Sequence, residues 1–333
     1  MDREIRSRFD YRRPVDVDDA VAATAWPGVE FIAGGTNLVD HLKRGLAAPE
    51  VLVDVTGLPL DSVEELPDGG LRIGATVRNS ALAAHPVVRR DYPVLARALL
   101  SGASPQIRNL ATTGGNLLQR TRCAYFRDLS SPCGKREPGT GCSALGGCTR
   151  HHAILGASAH CVATHPSDMA VAMAALDAEV HVLGPDGRRT VPLVELHRLP
   201  GDEPHRDTVL SRSDLITSVD LPPLPPGARS GYLKVRDRAE FAFALVSAAV
   251  VLRVEDGVVA DVRIALGGVA HKPWRARRAE DVLHGAPPGE EAFRRAAEEE
   301  LAAARPLAGN GFKVPLTRNV MVSALLAVSA ERR

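Results

Sequence analysis

The 333-residue sequence has no cysteine outside one stretch: all five fall between Cys123 and Cys161. Structural disulfides staple distant segments of small secreted domains, so this distribution argues against a disulfide framework and favours metal ligation. No C-x2-C pair occurs, which argues against the common zinc-ribbon layouts. Neither sign of charge dominates: Lys and Arg number 41 against 40 Asp and Glu, leaving +1. Nothing in that balance calls for nucleic acid or an anionic membrane as partner. No apolar run approaches the ~20 residues that span a bilayer. The opening Met1-Asp2-Arg3-Glu4-Ile5-Arg6 is charged with no apolar segment behind it, so no secretory signal of its own is expected. Internal repeats and low-complexity tracts are also missing.

What is there suits a globular chain, with 45% hydrophobic and 24% charged residues. The length allows two or three domains with real cores. Asp16–Ala23 starts acidic and continues in helix formers, Pro27-Gly28 breaks it, and Val29–Ala33 reads as a strand. Gly34-Gly35-Thr36 turns into a helix that ends at Gly45, and Val51–Val55 is a second strand. A strand at Leu71–Gly74 precedes helices near Arg78–Ala84 and Pro93–Leu100. Between Gln119 and Ala153 periodicity disappears, which in a compact region marks a functional or disordered insert. A helix over Pro166–Leu176 follows, then strands at Ala178–Leu183, Thr190–Leu193 and Asp214–Val219. The proline cluster at Pro222–Gly227 marks the best domain boundary. Beyond it come strands at Gly231–Val235, Ala244–Val254 and Val258–Leu266, then helices at Arg275–His284, Glu290–Ala304 and Thr317–Ala330. Strands followed by packed helices suggest an α+β domain.

Two glycine-rich segments carry the first chemical signal. Phe31–Leu38 places two glycines between a strand and a helix start, where the backbone can approach an anion and its N–H groups point outward. Thr36 and Asn37 add short donors for phosphate oxygens. The segment is not G-x-G-x-x-G, so a Rossmann reading is disfavoured. Ala111–Leu117 repeats the Thr/Gly/Gly/Asn composition. Singly, each is also what a plain tight turn looks like; together they could embrace one pyrophosphate from two sides.

The second signal is the cysteine loop. Cys123, Cys133, Cys142 and Cys161 form C-x9-C-x8-C-x18-C, with Cys148 left over as a free thiol or a substitute ligand. Thiolates suit iron–sulfur clusters or zinc, and this spacing alone does not name the metal. Between Gln119 and His152, six basic residues face only Asp128 and Glu137, a local excess of four positive charges. Four thiolates around an oxidised [4Fe–4S] core keep net negative charge, which such cations stabilise. A solvated basic loop, or one docking on an acidic partner, has the same composition.

These segments resemble the flavin subunit of the xanthine dehydrogenase family of molybdenum hydroxylases. The resemblance rests on Phe31–Leu38, Ala111–Thr113 with Asn116–Cys123, Ala163–Ala170, Lys234–Arg238 and Ala265–Arg275, in order along most of the chain. The cysteine loop, which most of that family lacks, points to its aldehyde oxidoreductase branch or to its hydroxybenzoyl-CoA reductase branch. The resemblance implies an α+β chain: a two-subdomain FAD-binding fold of the PCMH/vanillyl-alcohol-oxidase type, then a C-terminal domain of the CO dehydrogenase flavoprotein type. The implied divisions are 1–58, 59–224 with the [4Fe–4S] loop at about 119–161, and 228–333.

By the same resemblance, Glu30, Phe31, Ile32, Ala33, Gly34, Gly35, Thr36, Asn37 and Leu38 wrap the FAD pyrophosphate. Thr112 and Gly115 touch the cofactor from the second segment, and Asp168 bonds its ribityl or phosphate end. Ile216 lies against the isoalloxazine and Lys234 sits near its polar edge. Two plainer readings stand beside these: Asp168 caps the helix entered at Pro166-Ser167, and Lys234 is an exposed strand residue. The implied cofactors are FAD and a [4Fe–4S] cluster on Cys123, Cys133, Cys142 and Cys161. The implied partners are a large molybdenum-cofactor subunit and a small [2Fe–2S] subunit in a heterotrimer, with an external electron acceptor. No residue here is expected to do acid–base work on the organic substrate. Two rival functions are a self-sufficient FAD oxidoreductase and a zinc-stabilised or redox-sensing binding module. The compartment is either the periplasm, reached with an exported partner, or the cytoplasm.

Overall fold

A computed structural model describes residues 9–330, so the charged Met1–Arg6 stretch lies outside the described residues. The strands form three sheets. In the first, Asp10–Arg12 (β1) and Val29–Ile32 (β2) flank Val51–Asp54 (β3), all parallel. Parallel neighbours need crossovers, which the helices Val17–Ala23 and Leu38–Arg44 supply. Asp16 caps the earlier helix by accepting from Asp19 N–H at 2.8 Å. Gly45, at φ +69°, ends the later one in the left-handed conformation that favours glycine.

The second sheet is antiparallel. It contains Val63–Glu65 (β4), Leu71–Gly74 (β5), Glu179–Gly184 (β6), Gly187–Pro192 (β7) and Leu215–Leu221 (β8), in the order β4-β5-β8-β6-β7. The long excursion between β5 and β6 holds most of the helices and the whole cysteine loop. The third sheet is an antiparallel meander of Arg229–Val235 (β9), Val246–Glu255 (β10), Val258–Gly267 (β11) and Trp274–Arg275 (β12). Its β10 runs buried without a break from Val246 to Leu252, as a strand covered on both faces must. Val246, Ala248, Val250 and Leu252 pack under the closing helices Arg277–Leu283, Glu290–Leu301 and Lys313–Ala330. Ala249 and Val251 join the other core, with the helix Asp168–Ala175. That helix is buried on every side, and its run of alanines lets both sheets approach it. Its first residue, Asp168, is thereby fixed where the two cores meet.

The predicted elements recur with small shifts. The last helix begins at Lys313, four residues before the expected start, because Pro315 falls in its first turn, where no amide hydrogen is required. Short elements such as β1, exposed at all three residues, and the helix Pro105–Leu110 carried no apolar period to read. The stretch taken as unstructured holds a helical turn at Ala124–Arg127, a 3-10 turn at Ser143–Gly146 and a bridge pairing Cys133 with Cys142. Among the described residues, no helix is long and apolar enough to cross a membrane.

Candidate functional site: a flavin cleft beside a cysteine pocket

The two glycine loops meet. A Cβ on Gly34 would lie 1.9 Å from the Leu110 carbonyl oxygen, just ahead of the second loop, so only glycine permits this approach. Gly35 follows at φ +67°. Asn37 does not cap its helix with its side chain; its Oδ1 accepts from the Arg120 N–H at 2.9 Å. In the second loop Thr112, 1% exposed, caps the turn Thr113–Leu117 by accepting from Gly115 N–H at 3.3 Å. Gly114 N–H bonds the Ala75 carbonyl at 2.8 Å, tying the loop to the end of β5.

Two adjoining cavities open between these loops, of about 500 and 360 Å³. Glu30 through Leu38, Thr112, Gly115 and Ile216 line the larger one. Asp168 and Lys234 line the smaller, which shares Thr36, Asn37 and Gly115 with its neighbour. All fourteen residues expected around a flavin therefore border one continuous cleft. Ile216 and Lys234, both expected at the isoalloxazine, border different ends of it.

At the smaller end the plainer readings do not hold. Ser167, not Asp168, caps the helix, accepting from Ala170 N–H at 2.9 Å. The Asp168 carboxylate accepts instead from Lys234 Nζ at 2.7 Å and from the Tyr232 hydroxyl at 2.5 Å. The Lys234 side chain is only 4% exposed and also donates to Ser101 O at 3.0 Å. Burial and the Asp168 charge hold the Tyr232 phenol well above its ordinary range, so it remains a donor. At the larger end, burial raises the Glu30 carboxyl against the pull of Arg212 and Arg120.

Cys123, Cys133, Cys142 and Cys161 line a third cavity, of about 10 Å³, together with Phe126 and Lys135. Cys148 is exposed and lies outside it; its backbone N–H donates to the Tyr125 hydroxyl at 2.6 Å. All five are free thiols. Cys123 Sγ lies 3.2 Å from His152 Nε2. Burial pushes the Cys161 thiol up to about 11, while Lys135 pulls it down, and it raises Cys123 as well. Thiols held this way stay protonated unless a metal centre draws the proton off. Among the described residues, no three Cys, His, Asp or Glu side chains close on one point as the ligands of a single ion would.

Residues 7–224 match the FAD binding domain in molybdopterin dehydrogenase, and residues 231–328 match the CO dehydrogenase flavoprotein C-terminal domain. The chain belongs to the xanthine dehydrogenase family of FAD-binding subunits. It is 50% identical over 325 residues to the aldehyde oxidoreductase FAD-binding subunit PaoB of Escherichia coli (strain K12), covering 97% of this chain and 99% of that one. The carbon monoxide dehydrogenase medium chain of Hydrogenophaga pseudoflava is 28% identical, with 91% and 89% covered. The solved carbon monoxide dehydrogenase of that organism, lacking the Mo-pyranopterin moiety, superposes with a TM-score of 0.76 at 26% identity, over 97% and 98% of the chains. Reconstituted CO dehydrogenase from Oligotropha carboxidovorans gives 0.77 at 25%, over 98% and 99%. This FAD-binding subunit is thus part of an FAD-dependent molybdenum hydroxylase, and its fold is the FAD-binding domain joined to the CO dehydrogenase flavoprotein domain.

Sequence reasoning missed several residues that shape the site. Tyr232 sits between two expected residues without a motif of its own. Arg212 and Asp207 lie in the irregular segment before β8, where no periodicity or glycine pattern drew attention. The excess of positive charge in the cysteine loop pointed toward Lys135 and Arg120, and Arg120 also fell in the Asn116–Cys123 stretch that carries the resemblance.

Proposed function

We propose that this chain is the FAD- and [4Fe–4S]-carrying electron-transfer subunit of a heterotrimeric aldehyde oxidoreductase. A large molybdenum-cofactor subunit would oxidise aldehydes to carboxylic acids, and a small [2Fe–2S] subunit would stand between it and this chain. The observation that carries the finer part is the gathering of four distant cysteines around one cavity beside the flavin cleft. Its donor set fits the group: four thiols, a buried cation and no carboxylate among the lining residues.

The cleft fits FAD on similar grounds. Gly34 and Gly35 admit the backbone to a pyrophosphate, and Thr36 and Thr112 bring hydroxyls from opposite sides. The cofactor's length would run from the Ile216 end to the Lys234 end. Bound flavin supplies the exchange between two-electron and one-electron transfers. Lys234, held by Asp168 and Ser101, sets a fixed positive charge at the polar end of the cleft, where negative charge on a reduced ring is favoured. Asp168 in turn is held by Tyr232, so the lysine cannot swing away from the cleft without stranding a buried carboxylate.

The test is metal and flavin analysis of the purified heterotrimer. It should hold one FAD per chain and, beyond the iron of the [2Fe–2S] centres, about four further irons. Cys133→Ser should lose those irons. Zinc in their place, or undiminished iron in the variant, would overturn the cluster reading.

A further inference from the structure

One carboxylate stands between the two sites. Asp207, in the segment between β7 and β8, accepts from Lys135 Nζ through one oxygen and from Arg120 Nε at 2.7 Å through the other. Lys135, with a side chain 1% exposed, lines the cysteine cavity and is further pinned by Pro204 O at 2.9 Å. Arg120 lines the flavin cavity, where its backbone N–H holds the Asn37 side chain of the first glycine loop. Its guanidinium also lies over the Phe126 ring, 4.7 Å from the centroid, and Phe126 lines the cysteine cavity. Two short paths through Arg120 thus lead from the thiols to the flavin cleft, one ionic and one aromatic, and the His41 ring, which also borders the cleft, meets Phe126 edge-on.

The charges decide what this arrangement does. Two cations share one anion, so each end keeps positive charge aimed at its own cavity. A pyrophosphate on the Arg120 side and thiolates on the Lys135 side would each complete the balance. Without Asp207 the two cations would face each other uncompensated and turn away from their sites. Burial opposes the Asp207 charge, and the two cations outweigh it, holding the carboxyl far below its ordinary range.

We infer that Asp207 is a positioning residue that couples the cysteine site to FAD binding, so that filling either site strengthens the other. Such coupling is reciprocal by thermodynamic necessity. The inference rests on the reading that the cysteine cavity holds a metal centre.

The experiment is a double-mutant cycle on the assembled heterotrimer, reading the FAD dissociation constant by flavin fluorescence. Cys133→Ser and Asp207→Asn should each raise it about tenfold, or ~1.4 kcal/mol. The double variant should also stand about tenfold above wild type, because each change removes the same link. A hundredfold rise in the double variant, or no change in either single one, overturns the inference. Asp207→Glu, which keeps the charge, should return to within about threefold of wild type, which a loss of local packing would not predict. If Asp207→Asn does not assemble, Lys135→Met decides: Lys135 lines no part of the flavin cavity, so unchanged FAD affinity there overturns the link. Iron analysis of the wild type separates the two claims. Iron-free protein sinks the cluster reading, while Lys135→Met still tests the connection to FAD.

Discussion

The flavin cleft and the cysteine pocket lie side by side but are built on opposite plans. The cleft is made largely of backbone, with glycines that admit close approach and short hydroxyls that donate. Its one buried charge pair, Lys234 with Asp168, is internally complete. The pocket is made of side chains from one long excursion, and its buried thiols face Lys135, whose charge is met by an Asp207 carboxylate shared with Arg120. The difference teaches how each site should fail. The cleft should be broken by steric intrusion, and the pocket by loss of donors or of charge.

The largest expected effect tests the steric half. Gly34→Val would drive side-chain atoms into the Leu110 carbonyl, which a bare Cβ already meets at 1.9 Å. Backbone cannot yield as a flexible side chain does, so the two loops must part, at a cost of several kcal/mol. The purified variant should retain no FAD, read by its visible absorbance. Substantial flavin in it would show that the loops tolerate separation and that the cleft is not the backbone cradle described.

This contrast also explains what the sequence made legible. The cleft's first wall is one contiguous stretch, Glu30–Leu38, whose composition drew attention but equally suited a tight turn, so its assignment came from the family resemblance. The second wall drew attention because it repeats that composition, and the resemblance assigned Thr112 and Gly115 within it. The pocket was legible through an extreme, five cysteines in one loop; Cys148, left open as a free thiol or a substitute ligand, lies outside its lining. Asp207, Arg212 and Tyr232 were not legible. Their roles come from neighbours distant in sequence: Tyr232 and Asp168 are 64 positions apart, Asp207 and Arg120 are 87, and Arg212 acts on Glu30 from farther still. No periodicity encodes contacts of that kind. The opposite ends taken by Ile216 and Lys234 have the same origin, since one lies on β8 and the other on β9, in different sheets.

The next effect tests whether the cleft's charge pair is complete. Lys234→Met would leave Asp168 buried with only the Tyr232 hydroxyl, and should lower unfolding free energy by about 3–5 kcal/mol in urea titration. Adding Asp168→Asn should recover more than half of that loss. If the double variant is no more stable than Lys234→Met, the pair is not the isolated unit drawn here.

Acid should probe the ground beneath the pocket. His271, beside Lys135 and Asp207, and His197 are each lowered to about 4, chiefly by burial. His165, whose ring lies 4.3 Å from that of His197, is pushed well below its ordinary value. The native state keeps these rings neutral while the unfolded chain takes up protons below about pH 6.5. Stability is therefore fully present above that pH and is lost as pH falls toward 4, by on the order of 2–3 kcal/mol for His271 and for His197. His271→Gln should flatten its share of the pH dependence of the urea midpoint. An unchanged slope would mean that His271 is protonated in the native state.

The smallest effect sharpens the boundary of the pocket. Cys148 shares the loop with the four lining cysteines, yet its side chain is exposed and only its backbone is engaged, by Tyr125. Cys148→Ser keeps that backbone bond and changes one solvent-facing atom, so stability should move by less than about 0.5 kcal/mol. Iron content should not move at all. Cys148 does not line the small cavity of the four cysteines, but it borders a separate cavity together with Cys123, so recruitment of this fifth thiol is the outcome to test. The informative measurement is therefore a pair: iron in Cys148→Ser, and iron in Cys133→Ser with and without Cys148. If Cys148 is a bystander, removing it changes neither number. If iron survives undiminished in Cys133→Ser, the cluster reading falls, and its loss only when Cys148 is also replaced would name Cys148 as a ligand in place of Cys133.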